Sequence, residues 1–189
     1  MSLLPFCEWL ATTRGSIALH ESLYVYPLVE STHVLTLCLF VGMTVLLDLR
    51  LLGLTLRRVP VSQMMARIIP LMLLGFVVMA TTGLLLFYAI PVRSYQSVFL
   101  RLKMITLVLA GINAGVFHTT IRQRVAGWDQ AAVPPRAARV AGIVSLACWT
   151  VVIATGRLAA YNWFDCDMQP QSAFINWAAE CKVDQVEPR

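Results

Sequence analysis

The chain has 189 residues, of which 58% are hydrophobic and only 13% charged. Soluble domains carry about 25% charged residues, so this deficit points to lipid as the solvent and to one membrane-embedded unit. The formal net charge of +5 does not mark a nucleic-acid binder, because the arginines flank apolar runs instead of forming one polar stripe, and no DNA or RNA motif is present.

The N-terminal stretch does not read as a secretory leader: it lacks a basic n-region, and Glu8 interrupts its short apolar run. Ser2 is placed to cap a short helix over 3–10, with Leu3, Phe6, Trp9 and Leu10 on one face. Ser16 is placed to cap a second over 17–24, after a break at Gly15. Both are too short to cross a bilayer, so residues 1–24 read as interfacial helices on the membrane surface. Tyr24, Tyr26 and Pro27 then mark the entry into the first span. A crossing helix needs about 20 mostly apolar residues. Four segments qualify: 25–47, 68–90, 104–121 and 140–156, the last continuing towards Trp163. The expected fold is all-α, an integral membrane four-helix bundle over 25–163 followed by a polar tail over 164–189.

Arginine placement sets the expected orientation. Arg50, Arg57, Arg58 and Arg67 follow the first span, and Arg122, Arg124, Arg136 and Arg139 follow the third. The other side has Arg14, Arg93, Arg101, Lys103 and Arg157. The positive-inside rule puts the two Arg-rich loops in the cytoplasm and both termini outside it. Cys166 and Cys181 of the tail then lie where a disulfide persists, although spacing alone does not prove the pair.

Ionisable groups within spans are expensive and are functional candidates by default. His33 lies one helical turn after Glu30, and a carboxylate beside an imidazole suits a metal ligand or proton relay; the competing reading is a polar contact tying two helices. His118 shares a face with Gly111 and Gly115, which either clear space for a flat cofactor or form a close helix contact. His20, beside Glu21, is a candidate outer metal ligand or a solvated side chain. Arg157 requires an anionic partner such as a propionate or else reaches the headgroups, and Arg101 and Lys103 lie on the same side. Met43, Met72, Met79 and Met104 suit soft metals but equally suit packing, while Cys38 and Cys148 read as apolar packing. Gly75, Met79 and Gly83 mark a close helix contact. GxSxG, P-loop, HExxH, CxxC and CxxCH motifs are all absent, which argues against soluble-enzyme chemistry and covalently attached haem.

Two stretches carry a family resemblance. One runs from Pro27 to Gly53, with His33 six residues after Pro27 and the ending Asp48-Leu49-Arg50-Leu51-Leu52-Gly53. The other is Gly156-Arg157-Leu158-Ala159-Ala160-Tyr161-Asn162-Trp163-Phe164-Asp165-Cys166. Together they resemble a family of small bacterial four-helix membrane proteins of unknown function, over most of residues 1–166. That resemblance implies the fold and a bacterial inner-membrane location, and no activity. More distantly, histidines in the first and third of four spans resemble b-type membrane cytochromes and the membrane component of CopC/CopD copper systems. In the cytochromes two histidines clamp one haem iron. Here His33 lies about eight residues below the outer surface, roughly 12 Å, and His118 about fourteen, roughly 21 Å, which departs from that pattern.

The expectation is a b-type haem-binding redox component, with His33 as first and His118 as second axial ligand and Arg157 and Arg101 on the propionates. Two other classes stay open. One is copper handling with a periplasmic metal carrier, through His33, His118, His20 and methionines. The other is a non-catalytic accessory subunit of a larger membrane complex.

Overall fold

A computed structural model describes residues 2–161, 163–166 and 169–181. All regular structure among these residues is helical. Four helices are long and apolar enough to cross a membrane: α3 (Val25–Leu51), α4 (Val61–Ala89), α6 (Val98–Val116, extended by a π-helical turn over Phe117–Ile121) and α7 (Arg136–Leu158). By helix length and composition the chain is an integral membrane protein. Short helices α1 (Leu4–Ala11), α2 (Arg14–His20) and α5 (Pro91–Gln96), and α8 (Ala173–Ala179) of the tail, gather at one end, the terminal end. Residues 52–60 and 117–135, including a 3-10 turn over Arg122–Gly127, form the opposite loop end.

Several boundaries differ from the sequence expectation, each for a local reason. In α1 Ser2 Oγ accepts the Leu4 N–H, and Leu3, Phe6 and Trp9 form an exposed apolar face while Leu4 and Cys7 are buried. Helix α2 begins one turn early, because Thr13 and not Ser16 caps it. Gly15 lies inside the helix, and Ser16 is buried, donating to the Tyr88 carbonyl at 2.7 Å. Gly15 lies against that tyrosine: a Cβ there would come 2.4 Å from the Tyr88 hydroxyl, and the ring would have to shift. Helix α4 starts seven residues before the expected 68, its first turns burying Val61, Met64 and Met65 in the loop-end core. Helix α6 starts at Val98, six residues early, because Ser97 Oγ accepts the Leu100 N–H. That shift places Arg101 and Lys103 within the helix. Helix α7 follows Pro134–Pro135 and stops at Leu158, short of Trp163.

The spans form a ring with one open side. Helix α3 packs along α4, α7 packs along α6, and α3 meets α7, whereas no Cα of α4 approaches one of α6 within 8 Å. Lipid supplies no hydrophobic drive between helices, so close approach at small residues matters more. On α4, Gly75 lies against Thr36 and Phe40 and Gly83 against His33, as the Gly75–Met79–Gly83 face predicts. At the α3–α7 crossing a Cβ on Gly142 would come 3.2 Å from the Asp48 carbonyl oxygen. The interior is layered. Leu47, Leu51, Val61, Met64, Met65, Phe117 and Ala138 fill the loop end, and Phe40, Val41, Met79, Trp149 and Val152 fill the middle.

Arg50 organises the loop end. It is fully buried, donating from Nε to the Val59 carbonyl at 2.9 Å and from Nη2 to the carbonyls of Ala131 and Asp129 at 3.3 and 3.4 Å. Gly53 ends α3 with φ +72, a conformation that favours glycine, and a Cβ there would also strike the Ala132 carbonyl at 2.9 Å. At the terminal end the Cys166–Cys181 disulfide is formed, and the tail is tied down by Arg93–Asp165 at 3.0 Å and Arg101–Glu180 at 3.4 Å. Asn162 and residues 182–189 lie outside the described residues.

Candidate functional site

Above the apolar middle layer, towards the terminal end, the ring interior turns polar. Helix α3 contributes His33, α4 Thr82 beside Gly83, α6 Lys103 and Thr106, and α7 Thr155 beside Gly156. Thr82, Thr106 and Thr155 are each buried. Lys103 and Thr106 lie one turn apart on α6, and Thr82 follows buried Met79 on α4, so helical spacing places these groups on inward faces.

His33 is half-buried, and its Nδ1 lies 3.0 Å from Thr82 Oγ1. The Thr82 hydroxyl already donates to the Val78 carbonyl at 2.8 Å. With its proton so engaged, the threonine oxygen accepts from Nδ1–H, and the network assigns the imidazole lone pair to Nε2. A Cβ on Gly83 would lie 3.2 Å from His33 Cε1, so this glycine lets the ring seat against α4.

Lys103 is half-buried. A Cβ on Gly156 would lie 3.5 Å from its Nζ, an ordinary contact that sets the ammonium beside α7. Sequence reading treated Lys103 as one of several basic groups at the surface. The available signal was Lys103–Thr106–Ala110, a face of buried or half-buried residues in an otherwise apolar helix, which an expected start at 104 cut off.

The other candidates lie elsewhere. Glu30 is exposed, and the hydrogen-bond partner of His33 is Thr82 on the neighbouring helix. His118 sits in the π-helical turn, exposed, with Nδ1 3.3 Å from Arg122 Nη1. It lies twenty residues from the start of α6, about 30 Å along the axis at 1.5 Å per residue, and no Cα of α3 comes within 8 Å of one of α6. The structure therefore does not bring His33 and His118 together. Gly111 and Gly115 are exposed, with nothing within 4 Å of a Cβ on either. Arg101 is engaged by the tail, donating to the carbonyls of Tyr95 and Ala178 and to the Glu180 carboxylate. Arg157 is exposed and donates to the Tyr161 hydroxyl at 3.2 Å. His20 is exposed, edge-on to Tyr26 with ring centroids 6.1 Å apart. Among the described residues no group of three or more His, Cys, Asp or Glu side chains converges as a metal site.

The two stretches that carry the resemblance now have physical meanings. In Asp48–Gly53, Arg50 joins the two loops and Gly53 turns the chain. In Gly156–Cys166, Gly156 lies beside the Lys103 side chain, Asp165 pairs with Arg93 and Cys166 anchors the tail. No curated protein and no solved structure matches the chain. A family model does match, over residues 6–162, from α1 through the end of α7, and so covers both stretches up to Asn162. The chain belongs to DUF6644, a family of unknown function.

Proposed function

We propose that the protein is a b-type haem-binding electron-transfer component of the bacterial inner membrane, with His33 as its axial ligand. The observation that carries the reading is the seating of His33: Thr82 holds Nδ1, which leaves the Nε2 lone pair for a metal bond and fixes the ring. Lys103, half-buried on the inward face of α6, would neutralise a propionate, in place of Arg101 and Arg157, whose partners lie in the tail and at Tyr161. The donor set fits one protein bond to iron and not a two-histidine clamp. Bound haem would supply reversible one-electron chemistry, while the chain supplies the ligand, its orientation and a low-dielectric setting. The arginine excess at the loop end supports that end as cytoplasmic, and the Cys166–Cys181 disulfide supports an oxidising compartment for the tail.

The test is the visible spectrum of protein purified from a haem-replete host. A Soret band is expected in the wild type, lost or strongly shifted in H33A, and retained in H118A and H20A. Absence of Soret absorbance in a monodisperse wild-type preparation overturns the reading, and bound copper in that preparation would redirect it to metal handling.

A further inference from the structure

One side of the ring is unpacked, since no Cα of α4 comes within 8 Å of one of α6. Helices α4 and α6 are joined at the terminal end by α5, and at the loop end the 3-10 turn packs on α4. Between those bridges the two helices do not meet. In the terminal half of the ring the inward faces carry half-buried Lys103 and His33 and three buried threonines. Each threonine hydroxyl donates to a carbonyl of its own helix: Thr82 to Val78, Thr106 to Leu102 and Thr155 to Val151. Among the described residues Lys103 Nζ has no hydrogen-bond or ion-pair partner, and Glu30, the acidic residue nearest His33 on α3, is exposed.

An ammonium group within a span needs an anion, since burying an uncompensated charge is costly. Among the described residues, its neighbours on the inward faces, His33 and the three threonines, offer no anion. Lipid reaches both helices, whose surfaces are apolar, with Phe76, Val77, Ile105 and Leu109 all exposed. A ligand suited to both features carries its acid on a hydrocarbon body.

We propose that the α4–α6 gap is a lateral binding site for an anionic phospholipid from the leaflet at the terminal end, with its phosphate on Lys103 and its acyl chains along the two helices. Lys103 lies five residues into α6, about 8 Å along the axis at 1.5 Å per residue, so the headgroup is drawn inward from the membrane surface. The proposal does not depend on haem. Haem carries acid groups on an apolar body too, so the experiment uses H33A as well as wild type to separate the two.

Protein is reconstituted in nanodiscs of phosphatidylcholine containing a minor fraction of phosphatidylglycerol, and retained lipid is read by native mass spectrometry. One phosphatidylglycerol is expected to remain on H33A and on haem-free wild type, whereas haem bound with a propionate on Lys103 would displace it. Retention should fall about tenfold or more in K103Q, the effect of losing one hydrogen bond to a charged group, and recover in K103R. A photoactivatable acyl chain on phosphatidylglycerol should crosslink to α4 and α6, and less so in K103Q. Equal retention of phosphatidylcholine, unchanged retention in K103Q, or displacement by millimolar inorganic phosphate overturns the proposal, the last result making this a small-anion site. A dimer whose crosslinks run across α4 and α6 overturns it as well.

Discussion

Asp129 illustrates how much one loop side chain does at the membrane boundary. Helix α4 begins after Pro60, which provides no side-chain cap. Asp129 supplies one from 67 residues away, accepting the Ser62 N–H at 2.7 Å and the Ser62 hydroxyl at 2.6 Å. Those bonds, led by the hydroxyl, hold its carboxyl below the ordinary carboxylate range against an opposing effect of burial. A capping residue is worth about 1 kcal/mol, so D129A should lose about that much stability at neutral pH in detergent unfolding measurements. Because the folded pKa is depressed, the contribution is complete above the unfolded value and disappears as pH falls through the folded one. An unchanged midpoint at neutral pH would show that the contact adds nothing. Nothing in the run around Asp129 signals this role, since capping patterns are local in sequence and this cap is not. His33 was easier to read, because a histidine inside an apolar span stands out from its neighbours. Its partner was misassigned to Glu30, one turn away on the same helix, because Thr82 is brought alongside only by packing.

Among the elements, the tail helix α8 is held by a cluster around Glu180, the left-handed residue that ends it. The Glu180 carboxylate accepts from the hydroxyl of Ser2, from the Tyr95 hydroxyl at 2.9 Å and from Arg101 at 3.4 Å. These bonds, with the Ser2 hydroxyl foremost, keep its carboxyl below the usual glutamate range. The sign is that of a depressed acid: docking is fully supported at neutral and mildly acidic pH and is lost as pH falls through the lowered value. Hydrogen exchange across Ala173–Ala179 should therefore stay slow down to about pH 4.3, the ordinary glutamate value, and accelerate below it. Acceleration that begins well above that pH would show that something other than Glu180 holds α8. The four spans were legible because lipid demands long apolar runs, yet their starts were not. The first turns of α4 carry Ser62, Gln63 and Arg67, polar residues that face loops and solvent while Met64 and Met65 pack inward. A hydropathy reading discards such turns, and for the same reason it left Lys103 outside its helix.

For the whole molecule, the count of spans and the gathering of both ends on one side follow from the sequence alone. Arginine bias predicts a cytoplasmic loop end, so a reporter inserted at exposed Gln130 should register cytoplasm and one fused after Arg189 the opposite compartment. The reverse pattern at both sites would invert the orientation. Which helices touch was not legible. Gly111 and Gly115 have the spacing of a helix contact, yet they face outward, because periodicity defines a face without saying what covers it. Likewise the sequence does not reveal that the ring is left unclosed between α4 and α6.

That missing fourth seam makes the protein responsive to its solvent. Along the other three sides, interlocked side chains fix the interhelical distance. Across the fourth, the bridges act only near the two ends, and the spacing between the helix middles is a balance between their stiffness and the sideways pressure of the surrounding acyl chains. Bilayer thickness and chain packing, which set helix tilt at modest energetic cost, thus become inputs to the geometry around His33 and Lys103.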